Sequence, residues 1–334
     1  MKHARKMIQN SKLPRHHRLS VAPMMDCTDR FARYLLRLIS RHALLYTEMV
    51  PAPAIAHGKH LQFLRFDESE HPVAVQFGGS DEVELAQCAR WAERYGYDEI
   101  NLNIGCPSDR VRSGHFGACL MAEPVRVANL VTAMQKASDL PVTVKTRIGI
   151  DDMDDYADLY GFVEQVAEAG CHHFIIHARK AWLQGLSPKQ NRDVPPLRYD
   201  SVYRLKQDFP HLEVVINGGI QTVDEALEHL RFVDGVMLGR VAYHTPWVLA
   251  DVDRRIFGAS TPLPDRLTVY RRYLAYVQQE LGEGTALAAM SRHVLGLFQG
   301  VPGARQFRRH ISENAHRRGA GVAVLEDAAA GLRC

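Results

Sequence analysis

Residues 72–104, PVAVQFGGSDEVELAQCARWAERYGYDEINLNI, decide the fold. Pro72–Phe77 and Glu99–Ile104 are short, apolar, partly β-branched runs. Between them, 81–95 keeps amphipathic helical spacing, with Glu82 and Glu84 in its first turn behind an N-cap candidate at Ser80. A strand, a helix and a strand in about thirty residues make a parallel βαβ unit. The same texture continues on both sides. Further strand runs are Leu19–Met24, Leu44–Val50, Val142–Ile148, His173–His177, Glu213–Asn217 and Gly235–Leu238, and amphipathic segments fall at 123–137, 154–169 and 222–230. Eight such repeats over about 240 residues predict an α/β fold, a (β/α)8 TIM barrel; a doubly wound open sheet is the other arrangement this alternation builds.

The polar residues gather at one end of these strands. Met24-Met25, Glu48, Gln76, Asn103 with Cys106, Lys145, His177, Asn217-Gly218-Gly219 and Gly239-Arg240 all fall at or just beyond strand C-termini, the face on which barrel active sites sit. The glycines after strands seven and eight let backbone N–H groups approach an anion, and Arg240 adds a bidentate contact, so a phosphorylated ligand is expected there.

Beyond the barrel the pattern changes. Gly258–Asp265 reads as a linker, with Pro264 and Asp265 starting a helix. Leu267, Tyr270, Tyr273, Leu274, Val277 and Leu281 keep helical spacing, as do Leu287, Met290, Val294, Leu297 and Phe298. A third helix after Pro302 would bury Ala304, Phe307, Ile311 and Ala315, leaving Arg305, Arg308 and Arg309 as an adjoining basic stripe. The expected organisation is therefore a basic, flexible N-terminal extension over 1–18, a catalytic barrel over 19–258 and a small C-terminal all-α helical domain over 265–334.

Composition sets the class. Of 334 residues, 46% are hydrophobic and 24% charged, which excludes a disordered or fibrous chain. The net charge of +3 conceals a segregation: residues 1–20 carry +6, 291–320 carry +5, 321–334 carry −1, and the body between about −7. A mildly acidic body with basic ends suits an enzyme of a polyanion. The six cysteines, at 27, 88, 106, 119, 171 and 334, form no Cys-x-x-Cys pair. Cys171, His172 and His173 are consecutive strand residues and cannot all converge on one ion. No structural metal is expected, and a reducing cytoplasm is. No apolar run reaches the length of a membrane span, so no membrane association is expected, and no obligate protein partner is evident.

The most specific segment is Asn101-Leu-Asn-Ile-Gly-Cys106-Pro-Ser-Asp109. Together with Ala22-Pro-Met-Met-Asp26, Val75-Gln-Phe-Gly-Gly79, Val144-Lys-Thr-Arg-Ile-Gly149, Ile176-His-Ala-Arg179, Ile216-Asn-Gly-Gly219 and Leu238-Gly-Arg240, it closely resembles the tRNA-dihydrouridine synthases, in the family's order from about residue 19 to 320. His177–Arg192 is similar to the subfamily called A, which acts on uridines 20 and 20a of the tRNA D-loop. The basic residues 1–18 lie outside the resemblance.

The resemblance implies non-covalent FMN, with NADPH as reductant. It places Pro23, Met24 and Met25 along the isoalloxazine and Gln76 and Lys145 in hydrogen bonds to the flavin. His177, Asn217, Gly218, Gly219, Gly239 and Arg240 would hold the ribityl phosphate end. Reduced FMN would supply a hydride to carbon 6 of uracil, and Cys106, as an acid, a proton to carbon 5 from the opposite face. Gly105 and Pro107 suggest a mobile turn around that thiol; Cys27, Cys88, Cys119 and Cys171 read as packing. For tRNA binding the family pattern points to Asn103, able to donate to and accept from a uracil edge, and to Lys189, Arg192, Arg305 and Arg308. Two other readings are an FMN barrel reductase of a small pyrimidine or enone, which needs no Arg-striped helical domain, and a silent RNA-binding barrel, which needs no Cys106.

Overall fold

A computed structural model describes residues 15–58, 60–108 and 114–333. Eight parallel strands, β1 (Leu19–Val21), β2 (Leu44–Pro51), β3 (Val73–Gly78), β4 (Glu99–Ile104), β5 (Val142–Arg147), β6 (His173–His177), β7 (Glu213–Asn217) and β8 (Gly235–Leu238), close in sequence order. β1 pairs with β8 through Leu19–Val236 and Val21–Leu238. The barrel expected from the strand–helix alternation is the fold observed. β1 ends three residues earlier than its apolar run, because Pro23 has no N–H to donate and the chain turns at Met24, whose carbonyl accepts from Cys27 and Thr28.

The principal outer helices are α1 (Arg30–Ile39), α2 (Glu82–Tyr95), α3 (Pro124–Ala137), α4 (Tyr156–Glu168), α5 (Tyr199–Asp208) and α6 (Val223–His229). The cap of α2 is Asp81, not Ser80: its carboxylate accepts from the Val83 and Glu84 amides at 2.9 Å each. The main core lies between strands and helices, where outward strand residues such as Val75, Phe77, Ile100, Leu102, Val144 and Ile176 are fully buried. Inward residues divide by side. Leu44, Tyr46, Ala74, Ile175, Val215 and Met237 pack inside the barrel, whereas Gln76, Glu99, Asn101, Asn103 and Thr143 form a polar column along β3, β4 and β5.

The barrel floor is closed by a 3-10 turn, Arg15–Arg18. His17, 5% exposed, reaches Glu99 with Nε2 at 2.8 Å and Glu213 with Nδ1 at 3.0 Å. Gly235 is required beneath β8, since a Cβ there would stand 2.2 Å from the His17 carbonyl oxygen. The expected extension over 1–18 is thus corrected at its end: Arg15–Arg18 are a structural part of the barrel, held by a buried histidine between two carboxylates. Residues 1–14 lie outside the described residues.

After the irregular stretch 258–265, Asp265 caps α7 (Arg266–Gly282) by accepting from the Thr268 amide at 2.7 Å. The apolar spacing of 287–298 does not make one helix. It divides into α8 (Leu287–Ser291) and a 3-10 turn (Arg292–Val294), after which Gly296 presses against the His244 carbonyl, where a Cβ would stand 2.3 Å from the oxygen. Then come α9 (Ala304–Asn314), burying Ala304, Phe307 and Ile311, and α10 (Ala323–Ala329). This helical part joins the barrel at the start of α1. Asp29 accepts from Arg292 at 2.6 Å and pairs with His293 at 3.0 Å, Arg30 forks onto Glu280, and Tyr34 stacks on Tyr276. Among the described residues no helix is long and apolar enough to cross a membrane.

Candidate active site

The end of β4 carries Cys106 on a backbone fastened from both sides. Asn103 Oδ1 accepts the amides of Gly105 (3.1 Å) and Cys106 (3.0 Å); Arg147 Nε donates to the Gly105 carbonyl (2.8 Å), and the Ala118 amide to the Cys106 carbonyl (3.0 Å). At 105–106, within the turn expected to be mobile, every backbone donor and acceptor has a partner. Asp109 and residues 110–113 lie outside the described residues. The partly exposed Cys106 thiol donates to Ser108 Oγ at 3.5 Å.

Asn103 differs from its expected role in one respect. Both lone pairs of its side-chain oxygen are occupied by backbone amides, so towards a uracil edge it can only donate, through the Nδ2 hydrogen not engaged by Gln76 Oε1 (2.8 Å). Gln76 likewise has its oxygen on Asn103 and its nitrogen on Asn101 Oδ1 (2.7 Å), leaving one amide hydrogen for a ligand.

Across the mouth, the ends of β5 to β8 form a cationic hollow. Lys145 Nζ donates to Asn217 Oδ1 at 3.2 Å, and Asn217 Nδ2 to the Met237 carbonyl at 2.8 Å. Burial and then Arg147 push the Lys145 ammonium down to about 7. Burial, with Arg147, Lys145, Arg179 and Arg192 around it, holds His177 well below the usual histidine range, so its ring is neutral. Gly218 and Gly219 have φ of 121° and 75°; a Cβ on Gly218 would lie 2.7 Å from the His177 ring and one on Gly219 2.6 Å from Leu197. Only glycine fits either position. Arg179 Nε is buried and has no hydrogen-bond partner among the described residues. Cations around a neutral imidazole, an orphaned guanidinium donor and a glycine floor suit a phosphate. Arg240 pairs with Asp193 at 2.7 Å, both about half exposed, so an anion entering the hollow can displace that carboxylate. Beside it, after β1, Pro23 and Met24 are partly buried and Met25 is 51% exposed. Gly239 precedes the short helix Arg240–His244.

The RNA-binding candidates separate into two groups. Lys189 and Arg192 are exposed on a loop whose keystone is the fully buried Asn191. Its side chain bonds the Trp182 amide and the Trp182 and Leu186 carbonyls, and its own carbonyl accepts from Arg147 at 3.0 Å. Arg305 and Arg308 stand on α9 without an ion pair among the described residues, while Arg309 is tied to Glu313 at 2.7 Å. Arg147, Asn191, Arg179, Asn101 and Thr143 escaped the sequence reading as site residues. Arg147 and Arg179 lie within quoted motifs, so their signal was visible. Inward alternation along Glu99, Asn101 and Asn103 could have flagged Asn101.

A model of the dihydrouridine synthase family (Dus) matches residues 20–331. The chain is 60% identical over 321 residues to the tRNA-dihydrouridine(20/20a) synthase of Salmonella typhi, covering 96% of each chain. To the enzyme of that name from Escherichia coli K12 it is 60% identical over 312 residues, covering 93% of this chain and 90% of the relative. To that from Vibrio cholerae it is 59% identical over 314 residues, covering 94% and 96%. A solved 2-naphthoyl-CoA reductase in complex with 2-naphthoyl-CoA aligns with a TM-score of 0.55 at 10% identity, over 70% of this chain and 49% of that one, a likeness of fold alone.

Proposed function

The chain belongs to the dihydrouridine synthase family, and from that premise we propose how its own residues reduce uridine in tRNA, with uridines 20 and 20a of the D-loop as targets, FMN as the flavin and NADPH as reductant. The enzyme is a flavin-dependent oxidoreductase. The flavin, when bound, supplies the hydride to carbon 6 of the uracil. The observation that carries the proposal is the fastening of the Cys106 turn by Asn103 and Arg147 at one side of a mouth whose other side is the cationic hollow.

Pro23, Met24 and Met25 line the apolar side of that mouth. His177, Asn217, Gly218, Gly219, Gly239 and Arg240 hold the phosphate, with Arg179 Nε as a further donor. Lys145 and Gln76 offer N–H groups to the polar edge of the ring. The Cys106 thiol gives its proton to carbon 5, its S–H bond breaking as the carbon–hydrogen bond forms. Asn103 directs its remaining amide hydrogen at a uracil oxygen. A base must leave the folded D-loop to arrive here, at an unstacking cost of about a few kcal/mol, and cationic contacts to the RNA backbone offset it. Lys189 and Arg192 supply these from the barrel, Arg305 and Arg308 from the helices. The chain accordingly divides into the catalytic barrel over 15–258 and the tRNA-binding helices from 265 onward, acting in the cytoplasm.

The test is purification, identification of the released flavin by mass, and incubation with NADPH and unmodified tRNA, followed by mapping of dihydrouridine. FMN and new dihydrouridine at 20 and 20a support the proposal. Protein that stays colourless with added FMN, or reduces a small enone but no tRNA, overturns it.

A further inference from the structure

Inside the barrel an unbroken chain of hydrogen bonds runs from the floor to the Cys106 turn. Thr143 Oγ1 donates to Glu99 Oε1 (2.7 Å) and accepts from Asn101 Nδ2 (2.8 Å). Asn101 Oδ1 accepts from Gln76 Nε2 (2.7 Å), and Gln76 Oε1 from Asn103 Nδ2 (2.8 Å). Asn103 Oδ1 then accepts the Gly105 and Cys106 amides. Glu99, Asn101 and Asn103 are alternate residues of β4 and so share its inward face; Gln76 and Thr143 come from the strands on either side. All five are 8% exposed or less. The chain spans about 13 Å, the rise of four strand residues.

Its direction is forced. An ionised Glu99 can only accept, so the Thr143 hydroxyl must point down and present its lone pair upward to an amide nitrogen. Each carboxamide above then has one orientation, and the last delivers an oxygen, not an NH2, to the Cys106 turn. The backbone amides above demand that same orientation. If the three amides reversed together, Asn103 would set Nδ2 against two N–H donors, and Asn101 would turn its oxygen to Thr143. That second arrangement is excluded at the floor as well as at the top only while Thr143 and Glu99 are present.

We propose that Thr143 and Glu99 are positioning residues for the Cys106 turn, acting at a distance by fixing the polarity of the Gln76–Asn101–Asn103 ladder. The inference rests on the proposed role of Cys106 for its effect on turnover, but not for its effect on the turn. The floor is built to keep Glu99 ionised: Tyr46 donates to Glu99 Oε1 at 2.6 Å and His17 bonds Oε2 at 2.8 Å while its other nitrogen holds Glu213. The donors His17, Glu99 and His173 lie close enough to suggest a cation site. His17 argues otherwise, since both its nitrogens already bond carboxylates. The ladder, by contrast, gives each of its carboxamide groups a partner.

The experiment uses flavin-loaded enzyme with Thr143→Val, which keeps the shape and loses the hydroxyl, and Thr143→Ser, which restores it. Amide hydrogen exchange is read at 105–106, and single-turnover dihydrouridine formation in parallel. The expected result is exchange at 105–106 about tenfold faster and reduction by the flavin-loaded enzyme about tenfold slower in Thr143→Val, with both rates recovered in Thr143→Ser. Exchange at the wild-type rate in Thr143→Val, or no recovery in Thr143→Ser, overturns the proposal. Faster exchange with undiminished turnover upholds the ladder's hold on the turn and overturns its part in turnover. Should Thr143→Val fail to fold, Glu99→Gln serves: its amide accepts or donates at Thr143, and the same acceleration at 105–106 is expected, with an unchanged rate again overturning the proposal.

Discussion

Arg147 donates to the backbone carbonyl of Asn191 at 3.0 Å, so the loop carrying Lys189 and Arg192 hangs from the same guanidinium that holds Gly105. Its third bond goes to the Lys180 carbonyl at 3.1 Å. One side chain thereby sets the spacing between the proposed proton donor and the loop proposed to grip the RNA. Burial depresses its pKa to about 10, so it stays a cation across the physiological range.

Arg147→Lys keeps the charge but not the planar fork, and one ammonium cannot meet three carbonyls in that geometry. The expected outcome is single-turnover reduction slower by about a hundredfold, the scale of a misplaced catalytic group, and weaker tRNA binding, with the flavin retained. Stopped-flow flavin reoxidation by tRNA and a filter-binding titration measure the two effects. Wild-type tRNA affinity would show that the Asn191 loop does not depend on Arg147.

Cys106→Ala is expected to keep the yellow flavin and tRNA affinity while losing about 100- to 10,000-fold in dihydrouridine formation, the range of a general acid. Unchanged formation per bound flavin would remove the thiol from the proton-donor role. Cys88 and Cys171 are fully buried, and burial pushes each thiol up to about 12. Their replacement by Ala should therefore cost stability and leave turnover of the folded enzyme alone.

The barrel was legible because its evidence is local: β4, β6, β7 and β8 begin and end where their apolar runs do, and each run is set off by turn residues. The mouth was legible because a parallel barrel sends every strand's C-terminus to one face, so strand order alone gathers Gln76, Lys145, His177 and Asn217. What escaped depends on partners far apart in sequence. Asn191 reads as one polar loop residue among several until Trp182 and Arg147 are seen to meet on it. His17 reads as part of a basic tail until Glu99 and Glu213, 82 and 196 residues away, are found beneath it. The apolar spacing of 287–298 marks buried positions, but spacing carries no record of the change to a 3-10 turn at Arg292 or of the His244 carbonyl that approaches Gly296 beyond it.

Lys145 gives FMN binding a pH dependence. Its ammonium, depressed to about 7 by burial and Arg147, is the form that attracts an anion; above that pH the apo-protein increasingly holds a neutral amine. FMN affinity should therefore fall as pH rises from about 7 to 9, by up to about tenfold per unit for one linked proton. Lys145→Arg should flatten the decline, since its guanidinium stays charged. Flavin fluorescence quenching across this range is the measurement, and a wild-type profile as flat as that of the variant would contradict the assignment.

His17 is expected to make stability fall on the alkaline side. Burial disfavours its imidazolium, but Glu213 and Glu99 outweigh that and raise it to about 9 from 6.5, while Glu99 is held down to about 2 from 4.5 against its own burial, first by His17. The raised histidine contributes fully below pH 6.5 and its contribution is lost as pH climbs through 9. The depressed carboxylate contributes above 4.5 and loses its part as pH falls through 2. Both are complete between 4.5 and 6.5. His16 and His173, lowered by burial, titrate in the opposite sense, so the quantity to compare is wild type minus His17→Gln. The difference in unfolding midpoint should be largest near pH 5.5 and shrink by pH 9.5; a difference independent of pH would mean that His17 acts by packing alone.

Arg305 and Arg308 lie one turn apart on α9, on a stripe that adjoins the face Phe307 and Ile311 lock into the core. Replacing both by Ala removes two cations without disturbing that packing. If each neutralises one phosphate, the slope of log affinity against log salt should become shallower by about 1.4 to 1.8, since each phosphate contributes about 0.7 to 0.9. Flavin reduction by NADPH in the absence of tRNA should be untouched, because the helices join the barrel through Asp29–Arg292 and Arg30–Glu280, which the change leaves in place. Arg309, already tied to Glu313 four residues on, is the internal control, and Arg309→Ala should alter the slope less than either neighbour. An unchanged slope in the double variant would move the RNA away from α9; a collapse of NADPH oxidation would give these arginines a part in the barrel instead.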